Sequence, residues 1–129
     1  MGKVPRISDA EWEVMRVIWE RSPVVAGDVV RELSPRTGWN HRTIRTMLAR
    51  LSRKGALAVK EIGGRHLYSP RVRREECVRS EGRSFLGRVF SGDAASLLLH
   101  YVEDCDLTKA ELGRLRRELE RKIRQSEGE

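Results

Sequence analysis

The chain has 129 residues and a formal net charge of +7, with 26 Lys and Arg against 19 Asp and Glu. That length holds one domain or two small ones. No apolar run approaches the ~20 residues that cross a bilayer, and MGKVPRISDAEWE lacks the apolar stretch of a signal peptide, so a soluble cytoplasmic protein is expected.

Ser8-Asp9-Ala10-Glu11 reads as a capping box, with Ile7 and Trp12 at the staple positions, and it opens a helix. Trp12, Val14, Met15, Ile18 and Trp19 give that helix a wide apolar face, which is core; Ser22-Pro23 breaks it. A short helix from about Ala26 to Leu33, burying Val29, Val30 and Leu33, is ended by Ser34-Pro35-Arg36-Thr37-Gly38. The stretch from Trp39 to Gly55, WNHRTIRTMLARLSRKG, is the most informative. Ile44, Met47, Leu48 and Leu51 form one apolar stripe, Asn40 is typed as N-cap, and Lys54-Gly55 closes the helix. Arg42, Arg45, Thr46, Ala49 and Arg53 point away from the stripe. Short helix, turn and longer helix, basic outside and apolar inside, is a helix-turn-helix layout.

Two short strands follow, Ala56 to Ile62 and Arg65 to Tyr68, around Gly63-Gly64, a pair suited to the positive φ of a tight hairpin. In that register Val59 faces Tyr68 and Glu61 faces His66. A hairpin directly after the basic helix makes a winged helix, with Lys60, Arg65 and His66 near its tip. Residues 1–72 hold 14 Lys and Arg against 7 Asp and Glu, whereas residues 73–129 hold 12 of each. From Leu33 to Lys60 there is no acid at all, and a polyanion is the natural partner.

Beyond Pro70 a helix from about Glu75 to Phe90 would turn Val78, Phe85, Leu86, Val89 and Phe90 inward. Ser91-Gly92-Asp93 punctuates, Ala94 to Val102 is apolar nearly all round, and Leu107 to Glu111 repeats the staple and capping box before a seam of Leu112, Leu115, Leu119 and Ile123. Three helices of this length cannot bury themselves well alone. A second copy is the simplest partner, through Phe85, Leu86, Leu98, Leu99, Leu112, Leu115, Leu119 and Ile123; the alternative is a monomer whose last helix folds back. The fold class expected is mainly α with a small β-hairpin: a winged helix-turn-helix domain over residues 1–72, a three-helix dimerisation domain over residues 73–126, and a disordered tail, 127–129.

In this order the elements make the chain resemble the BlaI/MecI family of bacterial penicillinase repressors, through ISDAEWEVMRVIW, WNHRTIRTMLARLSRKGAL, SFLGRVFSG and SLLLHYVEDCDLTKAELGRLRREL. The resemblance implies a homodimer repressing from a dyad operator over a promoter, in the setting of antibiotic resistance. It also implies that positions matching Asn40, Arg42, Thr43, Thr46 and Arg50 lie on the DNA-reading helix, and that a receptor-linked membrane protease cleaves the repressor. The family's scissile Asn-Phe pair falls on His100-Tyr101, where both residues differ.

The expected base readers are Asn40, His41, Arg42, Thr43 and Thr46; Arg45, Arg50, Lys54, Lys60 and Arg65 would hold phosphates. A competing reading is a winged helix that binds protein and not specific DNA, against which the acid-free stretch argues. An enzyme is not expected: no Gly-rich phosphate loop, nucleophile elbow or HExxH occurs, and His41, His66 and His100 are scattered. No cofactor or metal is expected. Cys77 and Cys105 share no metal-ligand spacing; they read as free thiols, with a redox switch as the alternative.

Overall fold

The computed structural model of the chain describes residues 4–128. Three helices, α1 (Asp9–Arg21), α2 (Ala26–Thr37) and α3 (His41–Arg53), are followed by strands β2 (Leu57–Ile62) and β3 (Arg65–Pro70). Helices α4 (Arg74–Phe90), α5 (Ala94–Asp104) and α6 (Lys109–Glu127) complete the chain. A two-residue strand, β1 (Val24–Val25), stands between α1 and α2, and the sheet order is β1-β3-β2. The chain divides into two compact units, Met1–Ser84 and Phe85–Glu129, and α4 supplies residues to both.

Local signals built the helix ends as expected. Ser8 Oγ accepts the Glu11 N–H at 3.2 Å while Glu11 Oε1 accepts the Ser8 N–H at 2.9 Å, and Thr108 and Glu111 make the same reciprocal pair at the start of α6. The hairpin register is also as read, Val59 opposite Tyr68 and Glu61 opposite His66. Gly63 and Gly64 turn it with φ of 58° and 77°, a left-handed pair that a Cβ would resist.

Two elements differ from the sequence reading. Helix α2 does not stop at Leu33: it carries Pro35 and runs to Thr37, where Gly38 takes the left-handed cap at φ 75°. Pro35 removes the hydrogen bond that its position would donate to the Arg31 carbonyl, but only two helical residues follow it, and the Gly38 N–H closes the last turn on the Ser34 carbonyl at 2.9 Å. Strand β1 was not foreseen at all. Val24 and Val25 pair with Tyr68 and Leu67 of β3, so the sheet has three strands, and the hairpin is moored at its base to the helical core.

That core is the inner face of α1, α2 and α3. Met15, Ile18, Val29, Leu33, Ile44, Leu48 and Leu51 are all fully buried, each worth about 1.5–3 kcal/mol of transfer free energy. Trp12 and Trp19 sit half-buried at its rim with rings 5.4 Å apart and edge to face, and Trp19 Nε1 donates to the Val72 carbonyl at 3.0 Å. On α4 the buried residue is Cys77, not Val78, which is 43% exposed. Cys77 belongs to the first unit's core, so that unit runs on into the helix that the sequence assigns to the second domain.

The second unit is different in kind. None of its described residues is buried. Phe85, Phe90 and His100 form a short ring cluster, with centroids 6.0 Å and 5.5 Å apart. Leu98, Leu99, Leu112, Leu115, Leu119 and Ile123 are each 41–60% exposed, and Val89, expected to turn inward, is 55% exposed. Glu127, placed by the sequence reading in a disordered tail, is helical; Gly128 caps α6, and Glu129 lies outside the described residues.

Candidate nucleic-acid interface

Helix α3 sets its apolar stripe into the core and leaves the opposite face open. Asn40 Oδ1 accepts the Thr43 N–H at 2.8 Å and fixes the first turn, and Thr46 Oγ1 donates to the Arg42 carbonyl at 2.9 Å. The first turn contains no acid, so its free N–H groups keep their partial positive charge. Asn40, His41, Arg42, Thr43, Arg45, Thr46 and Arg50 are all exposed there, as are Lys60 and Arg65 on the wing.

The pairing of the cations divides the surface. On α1 and α2, Arg36 is bound to Glu13 at 3.0 Å, Arg21 to Glu32 at 3.1 Å, and Arg31 to Asp28. On the α3 and wing side, Arg42, Arg45, Arg50, Arg53, Lys60 and Arg65 make no ion pair with any described residue. A face of uncompensated guanidinium groups attracts phosphate; one laced with carboxylates does not.

A cavity of about 340 Å³ between wing and helices brings two expected phosphate residues together, Arg45 from α3 and Arg65 from the wing, with His66 and Tyr68. Gly64 of the wing turn also lines it, and its opposite wall is Val25, Ala26 and Gly27, where α2 begins without a side-chain cap. The sequence reading missed this wall. Its only trace in sequence is a helix start made of Val-Ala-Gly, with no Ser, Thr, Asp or Asn to satisfy the first amides. His66 also faces its cross-strand neighbour Glu61, with Nε2 and Oε2 3.5 Å apart.

Lys54, an expected phosphate residue, is exposed but has partners of its own: its Nζ donates to Glu11 Oε1 and, at 2.9 Å, to the Arg6 carbonyl. Glu11 is 1% exposed, and its Oε2 has no hydrogen-bond partner among the described residues. Burial pushes the Glu11 carboxyl up, yet the hydrogen bonds from Lys54 and from the Ser8 backbone pull harder, and it lies below the ordinary carboxylate range.

Elsewhere little chemistry is gathered. Cys77 is buried and Cys105 exposed, both free; burial first, and then the Glu76 charge, push the Cys77 thiol up and away from reactivity. Among the described residues no cluster of three or more His, Cys, Asp and Glu forms a metal site, and no helix is long and apolar enough to cross a membrane.

A winged helix with an acid-free reading helix and an unpaired basic face defines a DNA-binding regulator of transcription. The chain belongs to the penicillinase repressor family, whose model matches residues 7–121, and it is therefore a repressor and not an enzyme. It is 39% identical over 120 residues to the penicillinase repressor of Bacillus licheniformis, covering 93% of this chain and 94% of the relative. It is 33% identical over 121 residues to the methicillin resistance regulatory protein MecI of Staphylococcus aureus, covering 94% and 98%. Among solved structures it is similar, at 45% identity and a TM-score of 0.53, to the DNA-binding domain of the repressor BlaI, over 59% of this chain and 93% of that one. The Bacillus licheniformis BlaI monomer in complex with the blaP half-operator matches at 45% identity and a TM-score of 0.52, again over 59% and 93%.

Proposed function

We propose that the chain represses transcription as a homodimer on a dyad operator, each copy laying the first turns of α3 in a major groove. The observation that carries this is the acid-free face of α3 together with Arg42, Arg45, Arg50, Arg53, Lys60 and Arg65 of α3 and the wing, none of which makes an ion pair with any described residue. Asn40, His41, Arg42, Thr43 and Thr46 read base edges, and Arg45, Arg50, Lys60 and Arg65 hold phosphates. Residues 1–72 bind DNA and residues 73–126 join the copies. The pairing of copies is supported by a second unit with no buried residue among those described and with Leu98, Leu99, Leu112, Leu115 and Leu119 exposed. The relative bound to a half-operator supports one winged helix per half-site.

Release follows cleavage of the His100–Tyr101 bond by a receptor-linked protease. Both residues are exposed on α5, within the unit assigned to dimerisation, so cutting there separates the two DNA-binding halves.

The test is fluorescence anisotropy with a labelled duplex from upstream of this gene and a scrambled duplex, across a salt series. The expected result is a preference of about a thousandfold or more, with a steep loss of affinity as salt rises. Equal affinity for the two would leave only a nonspecific basic surface.

A further inference from the structure

We propose that Glu11 and Lys54 are positioning residues for DNA reading: joined by an ion pair whose carboxylate is buried, they set the angle of α3 and the wing without touching DNA. This rests on the DNA-binding reading above. Lys54 is the C-cap of α3, and its Nζ bridges the Arg6 carbonyl and the Glu11 carboxylate, whose Oε1 also accepts the Ser8 N–H at the start of α1. One carboxylate oxygen therefore ties together the leading segment, the first turn of α1 and the far end of α3.

The place of this joint gives it leverage over the interface. The 13 residues of α3 span about 20 Å, so a rotation of roughly 3° about the Lys54 end moves the base-reading turn by about 1 Å. Hydrogen bonds to base edges do not tolerate much more than that. Immediately after Lys54, Gly55 reverses the chain at φ 86° and β2 begins at Leu57, so the wing is hung from the same point. Glu11 is too deeply buried to meet a phosphate, and Lys54 is turned toward it.

Stability alone does not account for such a pair. Glu11 is buried but Lys54 is exposed, and such a pair contributes little, because solvent screens the attraction on one side and desolvation of the carboxylate offsets it on the other. A direction is what the charged pair adds: Lys54 is held toward one oxygen of one residue, and α3 with it.

The test compares the wild-type chain with Glu11→Gln and with Glu11→Gln/Lys54→Met. Glutamine keeps an acceptor for the capping box, and the double variant buries no unpaired charge. Lys54→Arg, which keeps the cation, is the rescue variant. Each is titrated by anisotropy against the upstream and scrambled duplexes, at a temperature where circular dichroism shows it folded. Glu11→Gln and the double variant are expected to lose about tenfold in affinity for the upstream duplex, the equivalent of one good base contact, with scrambled-duplex affinity and salt slope unchanged. Lys54→Arg is expected to retain most of the wild-type preference. Wild-type preference in the folded double variant would overturn the proposal. So would a salt slope flattened by about 0.9 in the double variant alone, which would make Lys54 a phosphate contact. A wild-type chain that bound both duplexes alike would remove the DNA-reading conclusion, and this one with it.

Discussion

Thr46 and Arg50 stand one turn apart on the same exposed side of α3, and they are expected to fail differently when truncated. Thr46 presents a small hydroxyl and methyl group of the kind that meets base edges, so Thr46→Ala should lower the ratio of upstream to scrambled affinity by about 1–3 kcal/mol, read by anisotropy. Arg50 makes no ion pair with any described residue, so Arg50→Ala should weaken binding to every sequence and reduce the salt slope by about 0.9. Glu11 supplies a pH signature of the fold itself. Burial raises its pKa, but Lys54 and Ser8 lower it further, so the folded value lies below the unfolded one. Its contribution is then present above the ordinary carboxylate range and lost as pH falls through the folded value. Thermal melts between about pH 7 and about pH 3 should show a fall in melting temperature that Glu11→Gln makes shallower.

At the scale of elements, the wing depends on a turn that only glycine fits easily. Gly63 and Gly64 both have positive φ, and a β-branched residue at Gly64 would be forced into a conformation about 1–2 kcal/mol above its preference. Gly64→Val should therefore lower the melting temperature of the first unit and weaken DNA binding through Lys60 and Arg65, with the α3 base preference kept. The wing also has a mooring that strengthens this expectation. Because β1 pairs with β3, a disturbed turn is transmitted to Tyr68, which is buried, and not merely to the exposed tip.

Across the whole molecule, the contrast between the two units predicts how they separate. The first has a core of fully buried side chains, and the second has none among its described residues. Leu119→Glu places a charge in the seam of α6 without entering the first unit's core. Sedimentation should then show a monomer, while the first unit keeps its cooperative melt. Operator affinity should fall by about a hundredfold or more, since two linked half-site contacts become independent.

The sequence by itself determined the features whose cause is local. The α3 stripe, the Asn40 cap, both capping boxes and the hairpin register all follow from side chains within a few residues of the groups they satisfy. The basic face was legible for the same reason, because a periodicity of 3.6 assigns sides before any partner is known. The tertiary structure decided what depends on distant partners. Val24 and Val25 are a strand only because β3 comes to lie beside them, and α2 outlasts Pro35 because Gly38 closes its last turn. Cys77 and not Val78 joins the core because α4 turns that side to the buried cluster, and a carboxylate 43 positions away gives the exposed Lys54 a buried partner. No spacing rule encodes an attraction across that much chain; it exists only once the core has brought α1 and the end of α3 together.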